Sequence, residues 1–181
     1  MPYEPFSNQE YRNVVQTHVE IPALLTLLPI PSGSRILEIG CGRGVAIPRI
    51  ARLCRPRLLV GVDISPELIG LARRRVVDLQ VAAALFVADA RALPFATGSF
   101  DVVLDFGTCY HIDRPEQALR EISRVLSAGG RFIHESPLAQ RIAHPFRTSG
   151  HPLPWSTSPD LSAERSAVLW AARRKTPSAA R

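Results

Sequence analysis

The chain of 181 residues is long enough for one domain with a core of its own. Its 46% hydrophobic and 21% charged content is that of an ordinary folded protein and excludes a disordered or fibrous chain. The net charge of +6 comes almost wholly from arginines spread along the chain, and no basic stripe interleaved with aromatics is present, which argues against a nucleic-acid surface.

The chain opens on Met1-Pro2-Tyr3-Glu4-Pro5, which has no basic or apolar leader pattern, so a cytoplasmic location is expected. Ser7 to Leu28 reads as helix, divided near Pro22. Val14, Val15, His18 and Val19 share one face, and Ala23, Leu24, Leu27 and Leu28 continue the apolar stripe. The apolar run from Ile21 to Ile30 is broken by Pro22 and Pro29 and falls short of the ~20 residues that cross a bilayer, so no membrane span is expected. Arg35 to Ile39 reads as the first strand. Val45 to Cys54 reads as a helix that carries Pro48 in its first turn, where the missing amide costs little.

Leu58 to Val62 is nearly all apolar, as a strand covered on both faces must be. Ser65-Pro66 starts a helix running to about Val77, with Ser65 as the cap and Pro66 at the first helical position. Ala84 to Ala88 is a third strand, Ala90 to Gly98 a loop, Phe100 to Phe106 a fourth strand and Pro115 to Leu126 a helix. Ala128-Gly129-Gly130 turns the chain into a fifth strand, Arg131 to His134. Ser136 to Pro159 is rich in proline, and Ser166 to Ala172 reads as the last strand. Strands alternating with helices predict an α/β fold in three layers with a mostly parallel sheet. Residues 1–175 read as a single domain, with 1–34 as an N-terminal helical cap and 176–181 as a frayed tail.

The first strand empties into Glu38-Ile39-Gly40-Cys41-Gly42-Arg43-Gly44. Glycines here let the backbone approach a ligand where a Cβ would block it. The dinucleotide fingerprint G-x-G-x-x-G would need glycine where Val45 stands, and no Gly-Lys-Ser/Thr follows for a phosphate loop. Glu38, Asp63 and Asp89 sit at the ends of three successive strands, which converge on one crevice in a parallel sheet. Asp63 suits a ribose diol and Asp89 an exocyclic amine, both of them donors to a carboxylate. Several acids and no clustered base favour a cationic adenosine derivative over a polyphosphate. Cys41, Cys54 and Cys109 form no Cys-x-x-Cys pair, so neither a zinc site nor a disulfide framework is expected.

Val60-Gly61-Val62-Asp63-Ile64-Ser65, Ala88-Asp89-Ala90-Arg91-Ala92-Leu93-Pro94-Phe95, Ser99-Phe100-Asp101-Val102-Val103 and Glu121-Ile122-Ser123-Arg124-Val125-Leu126, followed by Gly129-Gly130, occur in that order. Over about Ile36 to Glu135 the chain resembles class I S-adenosylmethionine-dependent methyltransferases, of the branch similar to ubiquinone/menaquinone-biosynthesis enzymes. The resemblance implies a Rossmann-like methyltransferase fold of seven strands with the last one antiparallel. It implies S-adenosyl-L-methionine as cofactor, S-adenosyl-L-homocysteine as product and a small-molecule acceptor methylated on oxygen, carbon or nitrogen. By position, Gly40, Cys41, Gly42 and Gly44 would face the methionine and ribose, and Glu38 would orient that loop. Asp63 would take the ribose hydroxyls, and Ile64 would pack on the adenine. Asp89 would accept from the adenine amine beside the Ala90 amide, and Phe106 and Gly107 would lie along the methionine moiety.

His111 matches a histidine common in the family after the fourth strand. It reads as a base or acceptor-positioning group, or as a packing residue of the pocket, with Tyr110 orienting the acceptor or lining the pocket. Tyr11 would close over the cofactor's carboxylate. The chain departs from the family pattern after Glu135, where a shortened C-terminal part is expected to reduce the sixth strand or replace it with coil. An exposed sheet edge there would invite a homodimer. A cofactor-binding subunit without turnover of its own is the reading from a different class, and an RNA methyltransferase is a third.

Overall fold

Alternate residues of each strand point to opposite faces of one sheet, and the sequence places large aliphatics at both sets of positions. The computed structural model describes residues 13–14, 16–136, 153–154, 160–166 and 170–176. Helix α1 (Ile21–Leu27) follows a π-helical turn at Gln16–Glu20. Strand β1 (Arg35–Ile39) leads to α2 (Ile47–Cys54), β2 (Leu58–Asp63), α3 (Pro66–Asp78), β3 (Ala84–Val87) and β4 (Phe100–Asp105). After a 3-10 turn at Cys109–His111 come α4 (Pro115–Val125), β5 (Leu126–Glu135), β6 (Leu161–Ser166) and β7 (Trp170–Lys175). The start of the expected N-terminal helix, from Ser7, lies outside the described residues.

The seven strands form one sheet in the order β3-β2-β1-β4-β5-β7-β6. β1 to β5 run parallel, and β7 pairs antiparallel with both β5 and β6. This is the Rossmann-like architecture with an antiparallel last strand. Ile36, Leu59, Val102, Leu104 and Ile133 point to a core shared with α1, α2 and α3. Their neighbours Leu37, Val60, Val103 and Phe132 point to the other face, under α4. The start of α3 follows its sequence signal, with Pro66 in the first turn and the Ser65 Oγ accepting from the Leu68 amide at 3.3 Å.

Three expectations change. The fifth strand begins at Leu126 rather than Arg131. Its register on β4 jumps from Phe100↔Leu126 to Val102↔Arg131, so the Ala128-Gly129-Gly130 turn is a bulge inside a strand, with Gly129 at φ +74°. The last strand is Trp170–Lys175, and Ser166 instead ends β6. The sixth strand is present with six residues, and Ser162, Ala163 and Glu164 are exposed. Residues 137–152 of the proline-rich stretch lie outside the described residues.

Strand order reverses between β1 and β4, and both neighbouring connections run away from that point. It opens a crevice at the carboxyl ends of the strands. The loop that follows β3 is braced from α4. The Glu121 carboxylate accepts from the Leu93 amide at 2.7 Å, while Arg124 donates to the carbonyls of Phe95 (2.6 Å) and Leu93 (2.9 Å). The Phe95 ring meets Phe86 and Phe100 edge to face. Among the described residues no helix is long and apolar enough to cross a membrane.

Candidate functional site

A cavity of about 620 Å³ occupies the crevice. One wall is the loop after β1. Gly40, at φ +65°, has no room for a Cβ, which would run into the Thr108 side chain. Gly42, at φ +53°, has open space beyond it and lines the cavity. Gly44 does not line the cavity. A Cβ there would meet Ala72 of α3 at 3.0 Å, so this glycine packs the loop onto α3. Cys41 lines the cavity with its thiol pushed up by burial and by the Glu38 and Asp63 charges, a neutral group at physiological pH.

The carboxylate that holds the glycine loop directly is Asp63, at the end of β2. Its Oδ2 accepts from the Gly42 amide and its Oδ1 from the Ser65 amide, both at 2.9 Å. Glu38 lines the same cavity but is only 2% exposed, and its Oε2 has no hydrogen-bond partner among the described residues. Burial, aided by the charges of Asp63 and Asp105, pushes the Glu38 carboxyl up to about 8. Ile64, 64% exposed, and Ala90 also line the cavity.

Asp89, just past β3, is gripped side-on. Arg91 donates to it from Nε at 3.0 Å, from Nη2 at 2.7 Å and from its own amide at 2.8 Å. This contact holds the Asp89 carboxyl below its ordinary value. Arg91 also lines the cavity, a role that the motif at 88–95 does not by itself reveal. Its signal is its place two residues after the acid, within reach of the same carboxylate.

Across the crevice, β4 ends at Asp105, which is fully buried in a strand that its sequence marks mainly as apolar. It accepts from the amides of Thr108 (2.6 Å) and Cys109 (3.1 Å) and so shapes the turn carrying His111. Phe106, Gly107, Thr108 and His111 line the cavity. Glu135, at the end of β5, lines it too, and a Cβ on Gly107 would stand 2.9 Å from its Oε2. Tyr110 is only 6% exposed and packs in the core under α4. Its hydroxyl donates to the Glu135 carbonyl at 3.3 Å, so the side chain is committed to the core and the cavity is lined by its neighbour His111. Tyr11 lies outside the described residues.

Among the described residues the wall carries five acidic side chains, Glu38, Asp63, Asp89, Asp113 and Glu135, of which the buried Glu38 holds its proton at neutral pH, against the cations Arg43 and Arg91. In a chain of net charge +6 this is a local acidic concentration, suited to a ligand with a positive charge and hydrogen-bond donors. Among the described residues no group of three or more histidines, cysteines and acids is placed to hold a metal.

A family model described as a methyltransferase domain matches residues 37–134. The chain is 38% identical over 103 residues to a fatty-acid O-methyltransferase of Mycolicibacterium smegmatis, a match covering 56% of this chain and 36% of that protein. It is 40% identical over 105 residues to the ubiquinone/menaquinone biosynthesis C-methyltransferase UbiE of Geotalea uraniireducens, covering 56% of this chain and 44% of that one. The matches thus span less than half the length of these curated relatives. The PH0226 protein of Pyrococcus horikoshii shares the fold with a TM-score of 0.68 and 23% identity, covering 97% of this chain and 94% of that one. The chain belongs to the methyltransferase-domain family, the class I S-adenosylmethionine-dependent methyltransferases.

Proposed function

We propose that this chain transfers a methyl group from S-adenosyl-L-methionine to a small-molecule acceptor. The observation that carries the reading is the acidic cavity where Gly42, Asp63 and Asp89 meet His111 and Glu135. The fit rests on three features of this chain. The buried Glu38 Oε2 has no hydrogen-bond partner among the described residues, the Gly42 face is open, and the cavity of about 620 Å³ is rich in acceptors. The curated relatives named for fatty-acid and quinone-pathway methylation support a small-molecule acceptor.

In this reading Gly40, Cys41 and Gly42 lie against the methionine and ribose. Asp63 accepts from the ribose hydroxyls while keeping its bond to the Gly42 amide, which couples loop shape to ribose contact. Ile64 packs on the adenine, Asp89 accepts from its amine, and the Ala90 amide lies beside it. Glu38 offers a buried carboxyl to the methionine ammonium, and Phe106 and Gly107 flank the methionine chain. The bound cofactor supplies an electrophilic methyl on a sulfonium, so the protein has to supply alignment and a dry cavity. His111 holds the acceptor and takes its proton where the acceptor atom must lose one.

The test is incubation of the full chain with S-adenosylmethionine carrying a labelled methyl and a panel of phenols, quinols, amines and fatty acids. Label is expected on at least one class. Cofactor binding with no transfer to any class would contradict turnover by this chain alone.

A further inference from the structure

The grip of Arg91 on Asp89 has more structure than a surface ion pair needs. The guanidinium lies side-on, with Nε reaching both carboxylate oxygens at 3.0 Å and Nη2 reaching Oδ2 at 2.7 Å. The Arg91 amide adds a bond to Oδ1 at 2.8 Å. The remaining nitrogen, Nη1, donates to the Asp113 carbonyl at 3.3 Å, in the segment that follows His111. One side chain thus fixes the plane of the Asp89 carboxylate and joins the β3 end of the cavity to its opposite lip. Both residues line the cavity.

We propose that Arg91 is the positioning residue that makes Asp89 selective for a 6-aminopurine, by holding its carboxylate in the plane where it accepts from the amino group. The inference rests on the S-adenosylmethionine reading of the cavity. An aspartate free to rotate about its side-chain bonds would lose entropy on meeting the amine, whereas one already clamped loses little. Bidentate arginine contacts fix geometry in a way a lysine's point charge does not. The same contact keeps Asp89 ionised and therefore an acceptor only. Arg91 acts through Asp89, so its effect must vanish when the ligand has no amine to offer.

That condition defines the test, a cycle between one side chain and one ligand group. The full chain is titrated calorimetrically with S-adenosylhomocysteine and with its analogue lacking the 6-amino group. For the wild type, loss of the amine is expected to weaken binding about tenfold or more, the scale of a hydrogen bond to a charged group. In Arg91→Gln the ratio is expected to fall to about threefold or less, with affinity for the deamino analogue nearly unchanged. Arg91→Lys keeps the charge without the two-point grip and is expected to give a reduced ratio too. It decides the matter should the glutamine variant not fold. A wild-type ratio retained in the folded variants, or equal weakening of both ligands, would overturn the role given to Arg91. A wild type that binds neither nucleoside would overturn the reading of the cavity itself, and the inference with it.

Discussion

Asp63 and Gly42 are joined across two strand ends by a 2.9 Å hydrogen bond from the glycine amide to the carboxylate. The group proposed to receive the ribose is thus the group that sets the shape of the glycine loop. Asp63→Ala removes both. Cofactor affinity should fall by about 1–3 kcal/mol, the cost of leaving buried hydrogen-bond partners unmet. Calorimetry with S-adenosylhomocysteine checks this, and an unchanged affinity would take Asp63 off the ribose.

The glycines should separate by what stands behind them. Gly40→Ala forces a Cβ into Thr108 as well as a left-handed conformation on alanine, whereas Gly42→Ala meets open space. Denaturant unfolding should show a larger loss for Gly40→Ala, with Gly42→Ala costing only about 1–2 kcal/mol for its backbone. Ligand binding should instead be lost in Gly42→Ala, whose Cβ projects beside the cavity. Equal stability losses would mean that the Thr108 contact does not set the requirement for glycine.

Glu38 gives a pH signature. Its carboxyl is raised from 4.5 to about 8 in the folded chain. Between those values the folded state holds a proton that the unfolded state has released. Unfolding free energy therefore falls as pH rises through this window, and the full penalty is present above it. Glu38→Gln should flatten the fall, so its melting temperature should exceed that of the wild type most clearly above pH 8. Parallel curves of melting temperature against pH for the two proteins would remove Glu38 as the source.

His111 lines the cavity in a turn set by the Asp105 carboxylate. His111→Ala should leave S-adenosylhomocysteine affinity within about twofold while lowering kcat for the acceptor some 10²–10⁴-fold if the histidine moves a proton. A large loss of cofactor affinity would relocate His111 to the donor side.

The parts of the fold that follow from local rules were legible. Arg35–Ile39 is a short apolar strand before a glycine turn, and Ser65-Pro66 is a cap followed by a proline, and both elements begin where those signals stand. β6 was not legible, because an edge strand with Ser162, Ala163 and Glu164 exposed carries no apolar run. The Gly129-Gly130 bulge looks like a turn in the sequence because both use the same residues. In the site, acids at strand ends were readable from spacing alone. Three relationships depend on tertiary approach that no local pattern encodes: Gly44 against Ala72, Gly40 against Thr108, and Tyr110 reaching the Glu135 carbonyl.

If this cavity holds S-adenosylmethionine, calorimetric titration of the full chain with S-adenosylhomocysteine will show saturable binding at one site per chain, weakened in Asp63→Ala and abolished in Gly42→Ala. Absence of binding at high micromolar concentration of a folded wild-type protein would contradict it.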